Sequence, residues 1–169
     1  MATPITPEYL ARSGTEHGEQ AAVFCWAAQN RTEFPELRWL HAIPNGGGRS
    51  MAQGAALKAE GVKGGVADVC LPVVRPGRGN TQFVGLYIEM KKRDGVPSNV
   101  SAEQLDFGAF VLAQSYAWVP CFGWQQATRL IQSYLRAELY VHSEHQQTVL
   151  KKAWELSRAT YTEICPTSH

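Results

Sequence analysis

The sequence predicts an α/β fold in which a central mixed β-sheet is flanked by helices. Three observations predict it. The hydrophobic period switches along the chain between about 3.6 and 2, so helices and strands are interleaved rather than segregated. Two apolar, β-branched runs, "VADVCLPVV" and "FVGLYIEMK", are separated by the turn-rich "RPGRGNT" and read as a hairpin. The 169 residues contain no internal repeat and suffice for one domain with its own core.

In chain order, "TEHGEQAAVFCWAAQN" predicts a helix over 16–30. Thr15 caps it, acids fill its first turn, and Val23, Trp26 and Ala27 share a face. "LRWLHAIPN" is aromatic and branched enough for a short strand, ended by Pro44 and the glycines at 46–48. "SMAQGAALKAEG" reads as a second helix, capped by Ser50 and closed by Gly61. After the hairpin, "SNVSAEQLDFGAFVLAQSY" offers Ser101 as N-cap with Gln104 three residues on, then Leu105, Ala109 and Leu112 at helical spacing. "AWVPCFGW" is an apolar strand and "WQQATRLIQSYLRAEL" an amphipathic helix. The tail from 143 to about 160 is helical and frays at "CPTSH".

Several function classes are excluded on composition. No apolar run nears the roughly 18 residues that span a bilayer, and "MATPITPEYLARSG" lacks the features of a signal peptide, so a cytoplasmic location is expected. Cys25, Cys70, Cys121 and Cys165 lie too far apart for a zinc motif and are expected as reduced, packed thiols. "GGGRS" is no P-loop, and no Gly-x-Ser-x-Gly elbow exists. His142 and His145, in "HSEH", have polar surroundings and are expected in solvent, whereas His41 is a candidate for lining a substrate groove.

Charge is distributed unevenly. Residues 49–93 carry eight Lys or Arg against three acids, whereas acids outnumber bases on both sides. A basic centre between acidic flanks suggests a localised anionic partner. Within it, Asp68 and Glu89 lie on strands predicted to pair, so two carboxylates converge at one end of the sheet. Mg²⁺ needs only a few carboxylate oxygens, a main-chain carbonyl and retained waters. Period-2 alternation puts Lys91 on the face of Glu89, where its cation can hold a water and offset charge on a phosphate. The bland readings are an Asp68 that satisfies turn donors, a solvated Glu89–Lys91 pair and a Gln104 that only completes a capping box.

An Asp after a Gly-rich turn followed by a strand ending in Glu-x-Lys resembles the PD-(D/E)xK nuclease superfamily. The run "HAIPNGGGRS", "LKAEGVKGGVADVCLP", "YIEMKKRDGVPS", "SAEQLDF" resembles its VRR-NUC family, with matching elements from about 16 to 125. Ala67 departs from the superfamily's proline. The resemblance implies a restriction-endonuclease-like fold: a single domain over 1–169, with a core of about 16–136 and a helical extension of about 137–169. It implies a Mg²⁺- or Mn²⁺-dependent endodeoxyribonuclease in which Asp68, Glu89 and the Met90 carbonyl bind metal. Lys91 would position or activate water, and Gln104 would support it. A glutamate of the first helix completes the family's site; Glu19, facing the core with Val23 and Trp26, is favoured over Glu16.

A small stand-alone chain of this kind resembles the family's phage-encoded members, which tend to be homodimers with Holliday-junction-resolvase-like activity in DNA replication, recombination or repair. The resemblance thus implies DNA as partner, a homodimer and the host cytoplasm. From the residues themselves, Asn45, Arg49, Lys63, Lys92 and Arg93, with Arg75 and Arg78 nearby, are candidate DNA-phosphate contacts, and the glycines at 46–48 allow close backbone approach. The rivals are a catalytically silent DNA-binding module of a replication assembly and a hydrolase of another phosphate substrate such as RNA.

Overall fold

The computed structural model describes residues 5–44, 51–77, 82–139 and 143–164, without the side chains of 51–54 and 158–164. In chain order its strands are β1 (His41–Ala42), β2 (Val69–Leu71), β3 (Arg75–Pro76), β4 (Gln82–Phe83), β5 (Leu86–Lys91) and β6 (Ala117–Phe122). Its helices are α1 (Pro7–Ala11), α2 (Glu16–Gln29), α3 (Met51–Ala59), α4 (Ala102–Ala113), α5 (Trp124–Leu135) and α6 (Glu144–Ile164). The central sheet has the order β1-β2-β5-β6. Its first two pairings are antiparallel and β5–β6 is parallel, so the mixed sheet between helices follows the expectation.

Alternation assigns each strand residue to one of two cores. Val69, Leu71, Leu86, Ile88, Met90, Ala117, Val119 and Cys121 pack with Ala22, Val23 and Ala27 of α2 and Ala127, Leu130 and Ile131 of α5. On the opposite face, Trp118 and Phe122 pack with Val111 of α4 and Val149 and Ala153 of α6, with Tyr87 and Phe107 against them. The α4 backbone comes close enough to the sheet that a Cβ at Gly108 would lie 2.6 Å from the Trp118 ring, so only glycine fits there.

The helix starts are set by local capping. The Thr15 hydroxyl accepts from Gly18 N at 3.0 Å and starts α2. Ser101 and Gln104 form the expected reciprocal box at α4, and Ser143 and Gln146 repeat it at α6. No helix among the described residues is long and apolar enough to cross a membrane.

Three elements depart from the expectation. "LRWLHAIPN" is mostly a 3₁₀ helix, Pro35–Trp39, with a strand only at His41–Ala42. Its buried positions are Phe34, Leu37 and Leu40. That spacing of three is the 3₁₀ period, and Pro35 sets the first helical φ. The expected hairpin is interrupted: β2 and β5 pair, but β3 and β4 form a separate two-stranded ribbon between them. The short helix α1, capped by Thr6 and begun by Pro7, was not foreseen. The Ser50 cap and the fraying of 165–169 lie outside the described residues.

Candidate functional site

Antiparallel register places the first two candidate residues. Val69 lies opposite Ile88 and Cys70 opposite Tyr87. One step further along both strands, Asp68 comes opposite Glu89. Both are even steps from Cys70 and Tyr87, so their side chains share the α4 face. The main chain supports this placement. Gly85 and Lys91 carbonyls accept from Ala117 N and Gly123 N at the β6 side. Peptide groups alternate along a strand, so those of Met90 turn the other way, past the end of β2. There Met90 N donates to Asp68 Oδ2 at 2.7 Å. The Met90 carbonyl leaves the strand on the same side.

Glu89 is fully buried. Its Oε1 accepts from Lys91 Nζ at 3.0 Å and from Gln104 Nε2. Its Oε2 is buried with no N–H donor directed at it, and in the protonated form the carboxyl can share its proton with Asp68. Burial, reinforced by the negative charge of Asp68 and only partly offset by Lys91, pushes the Glu89 carboxyl up to about 8. Gln104 divides its amide between two tasks. Its oxygen accepts from Ser101 N at 2.8 Å to close the cap, leaving the NH₂ group for Glu89. The cap therefore aims the amide into the site.

The two glutamates of α2 are three residues apart and share a helix face. Glu16, half exposed, has its Oε1 3.9 Å from Lys91 Nζ. Glu19 is fully buried and has both oxygens engaged, Oε1 by Arg93 Nε at 2.8 Å and Oε2 by Trp124 N at 2.9 Å. The structure thus brings Glu16, rather than the favoured Glu19, to Lys91. Glu19 instead caps the N-terminus of α5, whose N-cap residue Gly123 has no side chain to do so.

The basic candidates fall into two groups. Lys63 and Lys92 are exposed. Arg93 is half exposed and anchored, its Nη2 donating to Ala11 O at 3.1 Å beside the Glu19 pair. Arg75 is likewise committed, to Glu36 and the Leu135 carbonyl. Asn45, Arg49 and Arg78 lie outside the described residues, as do His142 and Cys165. His145 is exposed and stands edge-on to Phe122; His41 is exposed on β1 and its Nδ1 bonds the Trp39 carbonyl oxygen. The pairing of Arg93 with Glu19 has no sequence signal, since 74 residues separate them.

The donor set suits a hard divalent cation. A buried carboxyl, Glu89, faces a partly exposed one, Asp68, one Glu89 oxygen has no donor directed at it, and a main-chain carbonyl points to the same side. A cation would offset both the burial and the Asp68 charge that together keep a proton on Glu89. Among the described residues no group of three or more His, Cys, Asp or Glu side chains could hold a metal, so a cation here would rest on two carboxylates, main chain and water.

No family model matches the chain, and no curated protein matches it in sequence. A solved structure titled "VRR_NUC domain protein" matches it with a TM-score of 0.58 and 24% identity, over 75% of this chain and 97% of that one. At that identity the likeness speaks to the fold. The chain has the VRR-NUC fold that the sequence resemblance implied.

Proposed function

We propose that this chain is a divalent-metal-dependent endodeoxyribonuclease, a single nuclease domain whose core spans about 16–136, hydrolysing phosphodiester bonds in the host cytoplasm of a phage. One observation carries the reading: on this fold, the buried Glu89 carboxyl lies opposite Asp68 with no N–H donor directed at one oxygen and the Lys91 ammonium 3.0 Å from the other. Asp68, Glu89 and the Met90 carbonyl would hold Mg²⁺ or Mn²⁺. Such an ion supplies Lewis acidity toward a phosphoryl oxygen and makes a neighbouring water more acidic.

The chain's own residues do the rest. Lys91, held between Glu89 and Glu16, orients the attacking water and offsets charge accumulating on the scissile phosphate. Gln104 fixes the Glu89 carboxylate so that it does not rotate out of reach of Asp68. Lys63 and Lys92, with Asn45 and Arg49, contact backbone phosphates, which position the duplex without reading its sequence. A homodimer would set two such sites about a twofold axis, which suits four-way junctions and other branched DNA.

The test incubates plasmid, linear duplex and synthetic four-way junctions with Mg²⁺, Mn²⁺ or EDTA, alongside Asp68→Asn and Lys91→Ala. Metal-dependent cleavage lost in both variants is the expected result, with paired symmetric incisions on the junction. Metal-independent binding with no cleavage by the wild type would favour a silent DNA-binding module instead.

A further inference from the structure

The cations that follow the catalytic strand divide their work in a way the nuclease reading does not require. Lys91 and Arg93 are two residues apart at the exit of β5, and Glu16 and Glu19 are three apart on α2. The structure joins them as a ladder, Lys91 to Glu16 at 3.9 Å and Arg93 to Glu19 at 2.8 Å. The second rung is the more completely built. Glu19 is fully buried, its second oxygen accepts the first N–H of α5, and Arg93 also takes the terminal carbonyl of α1 at Ala11. Gly123 completes the junction. Its φ of +92° disfavours side chains, and a Cβ there would sit 3.0 Å from Arg93 Cβ and 3.6 Å from Glu19 Oε2. Four segments therefore meet on one ion pair: the end of α1, the start of α2, the exit of β5 and the β6–α5 turn.

We infer that Arg93 and Glu19 form a positioning pair that fixes the β5 exit against α2, and thereby holds Lys91 between Glu89 and Glu16. Arg93 acts through Lys91 and is not a phosphate contact. The inference rests on the nuclease reading for its kinetic readout. A guanidinium that bonds a buried carboxylate and a helix-terminal carbonyl together is pre-organised, with its donors directed inward. A phosphate contact at the same position would keep those donors for the ligand.

The two roles leave different signatures. The experiment compares wild type with Arg93→Gln, Arg93→Lys, Glu19→Gln and the double Gln variant, using the full chain. It measures the cleavage rate at saturating four-way junction in Mn²⁺, junction affinity in EDTA across a salt series, and Mn²⁺ affinity by calorimetry. Positioning predicts that Arg93→Gln and Glu19→Gln each lower the rate and Mn²⁺ affinity by about 10- to 100-fold. Junction affinity and its salt slope stay unchanged, Arg93→Lys, which keeps the charge but not the two-pronged fork, recovers only part of the rate, and the double variant is no worse than either single one. A phosphate contact predicts weaker junction binding, a salt slope reduced by about one, and an intact rate for Glu19→Gln; that result overturns the inference. Should Arg93→Gln not fold, Glu19→Gln and Arg93→Lys decide between the same outcomes. A wild type that binds Mn²⁺ without cleaving overturns the nuclease reading alone, because Mn²⁺ affinity still reports on the pair. A wild type that binds no Mn²⁺ overturns both.

Discussion

Two glutamates are fully buried at the same end of this sheet, and they are solved differently. Glu19 has a partner for each oxygen, one a guanidinium and the other a helix N-terminus. Glu89 crowds two donors onto one oxygen, leaves the other without one and faces a second carboxylate. Burying a charge is tolerated where each oxygen has a donor, and Glu19 meets that condition with protein groups alone. Glu89 does not, and its burial beside the Asp68 charge keeps it protonated, so it is the position where a cation would have something to add. On the proposed reading satisfaction marks structure and its absence marks function, and substitutions can separate the two.

The largest expected effect falls on chemistry. Glu89→Gln and Lys91→Ala are each expected to reduce junction cleavage by about 10²–10³-fold or more, the scale of losing one group that stabilises developing charge. The midpoint of thermal unfolding of Glu89→Gln at pH 6 should move little, because the carboxyl it replaces is already neutral there. Cleavage assays paired with thermal melts check this. Glu19→Ala should act first on stability, costing about 1–3 kcal/mol in denaturant unfolding because the buried Trp124 N–H loses its acceptor while the half-exposed Arg93 turns to water, with a smaller loss of rate than Glu89→Gln. A Glu19→Ala protein as stable as wild type would break the comparison.

The capping glutamines sharpen it. Gln104 and Gln146 occupy the same position in the same capping box, yet the spare amide of Gln104 meets Glu89 while that of Gln146 donates to the Pro120 carbonyl at 3.0 Å. Gln146→Ala should therefore cost about 1–3 kcal/mol and leave the cleavage rate unchanged. Gln104→Ala should cost about 1 kcal/mol for the cap and lower cleavage about 10- to 100-fold. Equal kinetic behaviour of the two variants would show that the Gln104 contact has no functional weight.

The smaller effects concern protons and salt. In metal-free protein the folded Glu89 keeps its proton up to about pH 8, whereas unfolded it ionises near 4.5. Between those values the folded state binds more protons, so stability falls as pH rises from about 5 to 8. Melts in EDTA should show that slope, and Glu89→Gln should flatten it. Smallest of all, Lys92→Ala should weaken DNA binding modestly and reduce the salt slope by about one, while leaving the rate at saturation intact.

Much of the candidate site's geometry was legible in the sequence because it depends on local rules. Period-2 alternation puts Asp68, Glu89 and Lys91 on one face once β2 and β5 pair, and Ser101 with Gln104 announces its own capping box. The choice between Glu16 and Glu19 was not readable. Both sit on one face of α2, and only the docking of that helix against β5 and α5 decides which reaches Lys91. The same holds for Arg93, whose partners at Ala11 and Glu19 are distant in sequence. In the fold, the longer capped helices α2 and α4 were legible and the one-turn α1 was not, whereas the 3₁₀ turn at Pro35–Trp39 imitated a strand because its aromatic and branched residues bury every third position.

Calorimetric titration of Mn²⁺ into metal-free wild type, Glu89→Gln and Glu19→Gln at pH 6.5, in buffers of different ionisation enthalpy, tests the central claim most directly. The account predicts one Mn²⁺ per chain with release of about one proton in the wild type. It predicts no binding in Glu89→Gln, and binding that is weakened but still proton-coupled in Glu19→Gln. Equal Mn²⁺ affinity in wild type and Glu89→Gln, or binding without proton release, would contradict it.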